Sequence, residues 1–185
     1  MIEEVKADAE SKMKKTIEAF KRELVGIRTG RASTGLLEPI KVEYYGAPTP
    51  LIQIAAISAP EPRLLAIKPF DQSSFAAIEK AILKSDLGLT PINDGKLIRL
   101  PIPALTEERR RDLTKLVRKH AEESHVAVRN IRRDGLKDLE EMEKEKMISE
   151  DQHFKGKDLL QEITDKSIAQ IDQIAKVKEA ELMEV

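Results

Sequence analysis

Helical periodicity sustained over most of the chain, with one long interruption, limits the possible folds more than any other feature. From Thr106 onward apolar or small residues step by three or four: Leu113, Val117, Ala121, Ser124, Val128, Ile131, Gly135, Leu139, Met142. That spacing marks one face of an α-helix. Thr106 suits the N-cap, and Glu107 and Glu108 suit the positive end of the helix dipole. A helix from 106 to about 147 would be roughly 60 Å long at 1.5 Å per residue. The pattern breaks near Met147-Ile148, and Ser149-Glu150-Asp151-Gln152 has the spacing of a capping box. A last helix carries Leu160, Ile163, Ser167, Ile171, Ile174 and Leu182. So short a turn predicts that the last two helices are antiparallel neighbours. Residues 1–29 read as another amphipathic helix, with Ile2, Val5, Ala9, Met13, Ile17, Phe20, Leu24 and Ile27 on one side and a stop at Thr29-Gly30.

The interruption, residues 30–105, has a different composition. All 9 prolines fall in it. Short β-type runs cover Ile40–Tyr45, Leu51–Ser58, Arg63–Phe70 and Lys96–Ile102, punctuated by Tyr45-Gly46-Ala47-Pro48 and Asn93-Asp94-Gly95. A helical run, Ser74–Lys84, places Phe75, Ile78, Ala81 and Ile82 together, and Gly88 closes it. The fold class is therefore α+β. A three-helix bundle from residues 1–29 and 106–185 carries an inserted β/α/β domain, 30–105, on two linker segments. One long coiled coil with a decorated loop is the competing arrangement; the β-branched residues and turn signals of the insertion argue against it.

Several function classes find no support. With no Cys there are no disulfides, thiolate metal sites or cysteine nucleophiles. The start, MIEEVKADAESK, lacks the apolar stretch of a secretory signal. No run approaches the ~20 apolar residues that span a bilayer. A soluble, cytoplasmic protein with no membrane partner is the expectation. His120, His125 and His153 have no metal-ligand spacing and read as surface histidines. No phosphate-cradling G-x-x-x-x-G-K-[ST] or G-x-G-x-x-G is present. The acid pairs Glu107-Glu108, Glu122-Glu123 and Glu140-Glu141 read as solvated helix faces, and Ser33, Ser73 and Ser74 lack a base-and-acid pattern. No enzyme activity, cofactor or metal is expected.

The net charge of −1 suggests indifference to nucleic acid, but its distribution says otherwise. Residues 1–105 hold 15 basic and 13 acidic side chains, 106–133 hold 9 and 5, and 134–185 hold 8 and 15. The middle segment is thus +4 and the last −7. On a helical wheel centred on Arg129, the positions of Arg111, Lys115, Arg118, Arg133 and His125 fall within roughly 40°. Arg132 lies about 60° to one side and Arg110 about 100° off, while the apolar stripe centres near 230°. Only Glu122 breaks the basic stripe between Arg111 and Arg133, and the guanidinium groups of Arg129, Arg132 and Arg133 are expected to point outward. A guanidinium fork grips phosphate through two hydrogen bonds, so such a stripe suits a phosphate backbone. Aromatic residues, 3% of the chain, are too few to stack many single-stranded bases. Structured RNA, read by shape and charge, is the better match. An ordinary solvated face with i,i+4 pairs such as Glu107-Arg111 is the competing reading.

Specific motifs now enter. Leu105-Thr-Glu-Glu-Arg-Arg-Arg-Asp-Leu113, Val126-Ala-Val-Arg-Asn-Ile-Arg-Arg-Asp134, Ile27-Arg-Thr-Gly-Arg-Ala32, Val42-Glu-Tyr-Tyr-Gly46 and Ser85-Asp-Leu-Gly-Leu89 stand in order along the chain. In these the sequence resembles the bacterial ribosome recycling factor family from end to end. The resemblance implies an L-shaped two-domain monomer. It also implies binding to large-subunit ribosomal RNA on the post-termination ribosome, and subunit separation with elongation factor G and GTP. It implies RNA contacts for Arg129, Arg132 and Arg133, for Arg110, and at the domain junction for Arg28 and Arg31. Arg111 and Arg118 join this RNA-binding set from their place in the stripe. The family's mobile linkers correspond here to 29–33 and 102–105, with Gly30, Ala32, Ser33, Pro103 and Ala104 as hinge residues. His125 departs from the family, which usually has Arg or Lys just before the VAVRN run. A helical adaptor or chaperone-like protein is the alternative from another class, though it does not account for the arginine stripe; an RNA-modifying enzyme is a third, and would need a pocket with polar groups that the sequence does not offer.

Overall fold

The computed structural model describes residues 1–27 and 29–184. It comprises two compact units, Met1–Ile27 with Glu108–Val185, and Arg28–Glu107. The first helix, α1 (Ile2–Val25), opens with Glu3 and Glu4 in its first turn and buries Val5, Ala9, Met13, Ile17, Phe20 and Leu24. It stops four residues before the expected end at 29. The Ile27 N–H donates to the Leu24 carbonyl at 3.0 Å, a tightened final turn that leaves the helix while keeping Ile27 buried.

The inserted unit starts with a hairpin, β1 (Lys41–Tyr44) against β2 (Ala47–Pro50), in which Lys41 opposes Pro50 and Tyr44 opposes Ala47. Tyr45 (φ 49) and Gly46 (φ 78) make the turn, both with the positive φ that suits strand twist in two-residue hairpin loops. Sequence reasoning missed β2 because it holds Pro48 and Pro50. Proline is tolerated on edges, and a two-stranded ribbon is all edge.

The run expected as a strand from Leu51 begins instead with one helical turn, α2 (Leu51–Ile54), and becomes β3 (Ala55–Glu61) only afterwards. Leu51 and Ile54 are both buried. A spacing of three would put them on opposite faces of a strand, whereas a helical turn directs both to one core. Next comes β4 (Leu64–Pro69). The Asp71 carboxylate then accepts the Ser73 N–H at 2.9 Å, leading through a short 3-10 turn into α3 (Phe75–Lys84). Two further strands follow, β5 (Ile92–Asn93) and β6 (Ile98–Pro101).

The larger sheet is antiparallel with order β3-β4-β6-β5, and β4 is paired on both sides: Ile67 lies opposite Ile57 of β3 and Ile98 of β6. The two-residue β5 was too short to show a period in the sequence. Leu65, Ile67, Ile98 and Leu100 point from the sheet into a core shared with Ile78 and Ile82 of α3 and with Val42 and Leu51. The two ends of this unit are fastened at one place. The Ala32 N–H donates to the Pro62 carbonyl at 2.6 Å, and the Ile102 N–H to the Arg63 carbonyl at 2.8 Å. Gly30 has φ +75, and a Cβ there would lie 3.3 Å from Leu105 Cγ.

The two remaining helices, α4 (Glu107–Lys144) and α5 (Glu150–Met183), are about 57 and 51 Å long. The turn between them has a double lock. At the end of α4, Lys146 N–H reaches the Glu143 carbonyl and Met147 N–H the Met142 carbonyl, with Lys146 at φ 60. This is the Schellman arrangement with lysine where glycine is usual. At the start of α5, the Ser149 hydroxyl accepts the Gln152 N–H while the Gln152 side chain accepts the Ser149 N–H, so the capping box is formed.

Cross-helix partners give the directions. Gly135 meets Leu160 and Gly156 meets Leu139, so α4 and α5 are antiparallel as expected. Met13 of α1 accepts from Ser167 of α5, and Lys6 and Glu10 of α1 face Glu162 and Lys166, so α1 and α5 run parallel. The paired glycines allow close approach: a Cβ on Gly156 would stand 2.8 Å from Leu139 Cδ1, and one on Gly135 3.0 Å from Leu160 Cδ1. Both leucines are fully buried in the space so provided.

Candidate nucleic-acid interface

The apolar stripe of α4 is buried, through Leu113, Val117, Ala121, Ser124, Val128, Gly135 and Leu139, which fixes the direction in which the other side chains project. Arg111, Arg118, Arg129 and Arg133 are exposed, and Arg110 and Arg132 are half-buried. Arg110 and Arg133 have no acid partner among the described residues. Arg31, in the inserted unit, is also exposed. Arg28 lies outside the described residues.

The stripe is less uniform than the sequence of α4 alone suggests, because α5 contributes acids to it. Arg118 Nε donates to Glu179 Oε1 at 2.8 Å. Arg129 lies 3.3 Å from Glu122, which also accepts from His125 Nδ1, and His125 Nε2 faces Asp172 at 2.7 Å. A shallow groove of about 250 Å³ there is lined by Arg118, Glu122, His125, Asp172, Lys176 and Glu179. The hydrogen bond from His125, and after it the Arg129 guanidinium, hold the Glu122 carboxyl below its usual pKa. The middle of the stripe is thus locally neutralised. Unpaired positive charge remains toward the two ends, at Arg110 with Lys115 and at Arg133 with Arg132.

Arg132 corrects a second expectation. It does not point freely outward. Its Nη1 donates to the Gln161 side-chain oxygen of α5 at 2.7 Å, and its Nε is buried without a partner. The histidines are a third correction. Each is half-buried and set against a carboxylate of a second helix: His120 against Glu23 (with Glu123 of its own helix beside it), His125 against Asp172, His153 against Glu143. Partners from another helix cannot be read from spacing within one. Glu23, His120 and Glu123 bring three potential ligand atoms together, at 3.1 and 3.4 Å from His120 Nδ1. Those are ordinary ion-pair distances, and both carboxylates are exposed.

Fold and side chains together define a class: a three-helix bundle split by a small antiparallel-sheet unit, with guanidinium groups gathered along one bundle helix. The model of one protein family, ribosome recycling factor, matches residues 20–183. The chain is 59% identical to the ribosome-recycling factor of Halalkalibacterium halodurans and 57% identical to that of Heliobacterium modesticaldum, in each case over 185 residues and the full length of both chains. A solution structure of ribosome recycling factor, 46% identical, superposes with a TM-score of 0.83, covering 100% of this chain and 98% of that one. A second structural match, at TM-score 0.68 and 48% identity over the full length of both chains, is the T. thermophilus ribosome recycling factor described with E. coli elongation factor G on the E. coli post-termination complex. The chain belongs to the ribosome recycling factor family.

Proposed function

We propose that this protein binds the post-termination ribosome through large-subunit ribosomal RNA and, with elongation factor G and GTP, separates the subunits for a new round of translation. The observation that carries the RNA part is the C-terminal end of the arginine stripe on α4, where Arg133 has no acid partner among the described residues and Arg132 is held by a neutral one. Arg28, Arg31, Arg110, Arg111, Arg118 and Arg129 complete the RNA-facing set. Family membership and the relative described with elongation factor G on a post-termination complex support the choice of partners.

In this reading the protein is not an enzyme and acts in the cytoplasm. GTP hydrolysis belongs to elongation factor G, and the recycling factor transmits the resulting motion. The segments 29–33 and 102–105, with Gly30, Ala32, Ser33, Pro103 and Ala104, serve as the hinge. Ala32 and Ile102 are themselves hydrogen-bonded to the β3–β4 turn, so within these segments the reading places most of the rotation at residues 29–31 and 103–105, with Ala32 and Ser33 as its anchored edge. No helix among the described residues is long and apolar enough to cross a membrane, so the proposal needs no membrane partner. Ribosome pelleting over a salt series tests the RNA-binding half. Affinity should fall steeply between 50 and 200 mM salt (on the order of those used for phosphate-binding proteins). A flat response would favour a protein-binding adaptor.

A further inference from the structure

Arg118, Arg129 and Arg132 of α4 are each tethered by a side chain, and these tethers differ chemically. Arg118 and Arg129 donate to carboxylates, Glu179 and Glu122. Arg132 donates to an amide oxygen, Gln161 Oε1, at 2.7 Å. Gln161 is itself fixed: its Nε2 donates to Asp165 Oδ1 at 2.8 Å, one turn further along α5. That second bond orients the amide with its oxygen toward α4. A carboxylate in the same place would hold the guanidinium as firmly but cancel its charge, whereas an amide leaves the full positive charge available to phosphate. The Nε of Arg132 is buried without a partner, so the Nη1 bond to Gln161 is the side-chain hydrogen bond that fixes this pose.

We propose that Gln161, oriented by Asp165, is a positioning residue for RNA binding, holding Arg132 in a fixed pose without neutralising it. This rests on the reading of Arg132 as an RNA ligand. Positioning lowers the side-chain ordering that binding would otherwise require, so its loss weakens binding without removing a charge.

The test uses the full chain and post-termination ribosomes in a pelleting assay over a salt series, with circular dichroism as the check on folding. Gln161→Met should weaken binding about three- to tenfold, the size of one long side chain's ordering. In an Arg132→Gly background it should weaken binding no further. Gln161→Glu is isosteric and exposed, and keeps the test valid if methionine perturbs α5. It should bind at least as weakly as Gln161→Met and lower the slope of log affinity against log salt by about one. Parent-like binding by both Gln161 variants, with Arg132→Gly impaired, would overturn the positioning role. So would losses that multiply in the double variant, which would show Gln161 acting independently of Arg132. Parent-like binding by Arg132→Gly would overturn the underlying RNA assignment, and the proposal with it.

Discussion

Arg118 and Arg133 occupy the same side of α4 and carry the same charge, but their neighbours differ. Arg118 Nε is 2.8 Å from the Glu179 carboxylate, while Arg133 has no acid partner among the described residues. Removing a charge that is already neutralised changes little in a counterion-release measurement; removing a free one lowers the salt slope by about one. Arg133→Gln should therefore reduce both ribosome affinity and its salt slope, with a clearly smaller slope change for Arg118→Gln. Equal changes would mean that Glu179 releases Arg118 on binding. Glu122 supports a prediction about acid. Its carboxyl is depressed by the His125 hydrogen bond and by Arg129, so its stabilising contribution is present above the ordinary carboxylate range and lost as pH falls through its lower folded-state value. Glu122→Gln should flatten the decline of Tm from about pH 5 downward, and an unchanged acid limb would show that this cluster adds nothing to stability. The pairings across helices were not legible from α4 alone. Glu179, Asp172 and Gln161 come from α5, and which of its side chains face which arginine depends on interhelical register, set by contacts such as Leu139 against Gly156.

At the scale of elements, the connection between α4 and α5 holds the clearest stored cost. Lys146 takes φ 60 where glycine would be relaxed. Lys146→Gly should raise the stability of the bundle by about 1 kcal/mol, read from the urea midpoint at unchanged m. A loss of stability would mean that the lysine side chain makes a compensating interaction. The other half of this connection was legible in sequence because the capping box lies within four consecutive residues. The same holds for the long helices, whose periods repeat many times. What sequence reasoning missed in the inserted unit was short or depended on edges. β2 contains two prolines, β5 has two residues, and Leu51–Ile54 is a single helical turn whose apolar content resembles a strand. The early end of α1 was hidden for another reason: Ile27 stays buried beyond the last helical residue, so the apolar pattern outlasts the helix.

Over the whole molecule, the balance of 32 basic and 33 acidic residues conceals an uneven distribution of charge. The excess acid of the C-terminal segment partly faces the arginines of α4, and so serves to trim and orient positive charge. In the proposed reading, the charge left toward the ends of the stripe, at Arg110 with Lys115 and at Arg133, meets a polyanionic partner, consistent with recognition of RNA by shape and backbone. The proposed division of labour follows: a stiff bundle fixed on RNA, a second unit moved by a partner, and the energy supplied by that partner's nucleotide. Its central claim is that the protein splits ribosomes only in combination. The most direct test follows light scattering of post-termination ribosomes mixed with this protein, elongation factor G and GTP. Scattering should drop as subunits separate in the complete mixture and stay level when this protein or GTP is omitted, with Arg132→Gly giving a slower drop at limiting concentration. Level scattering in the complete mixture, from a protein that binds the ribosome normally, would contradict the account.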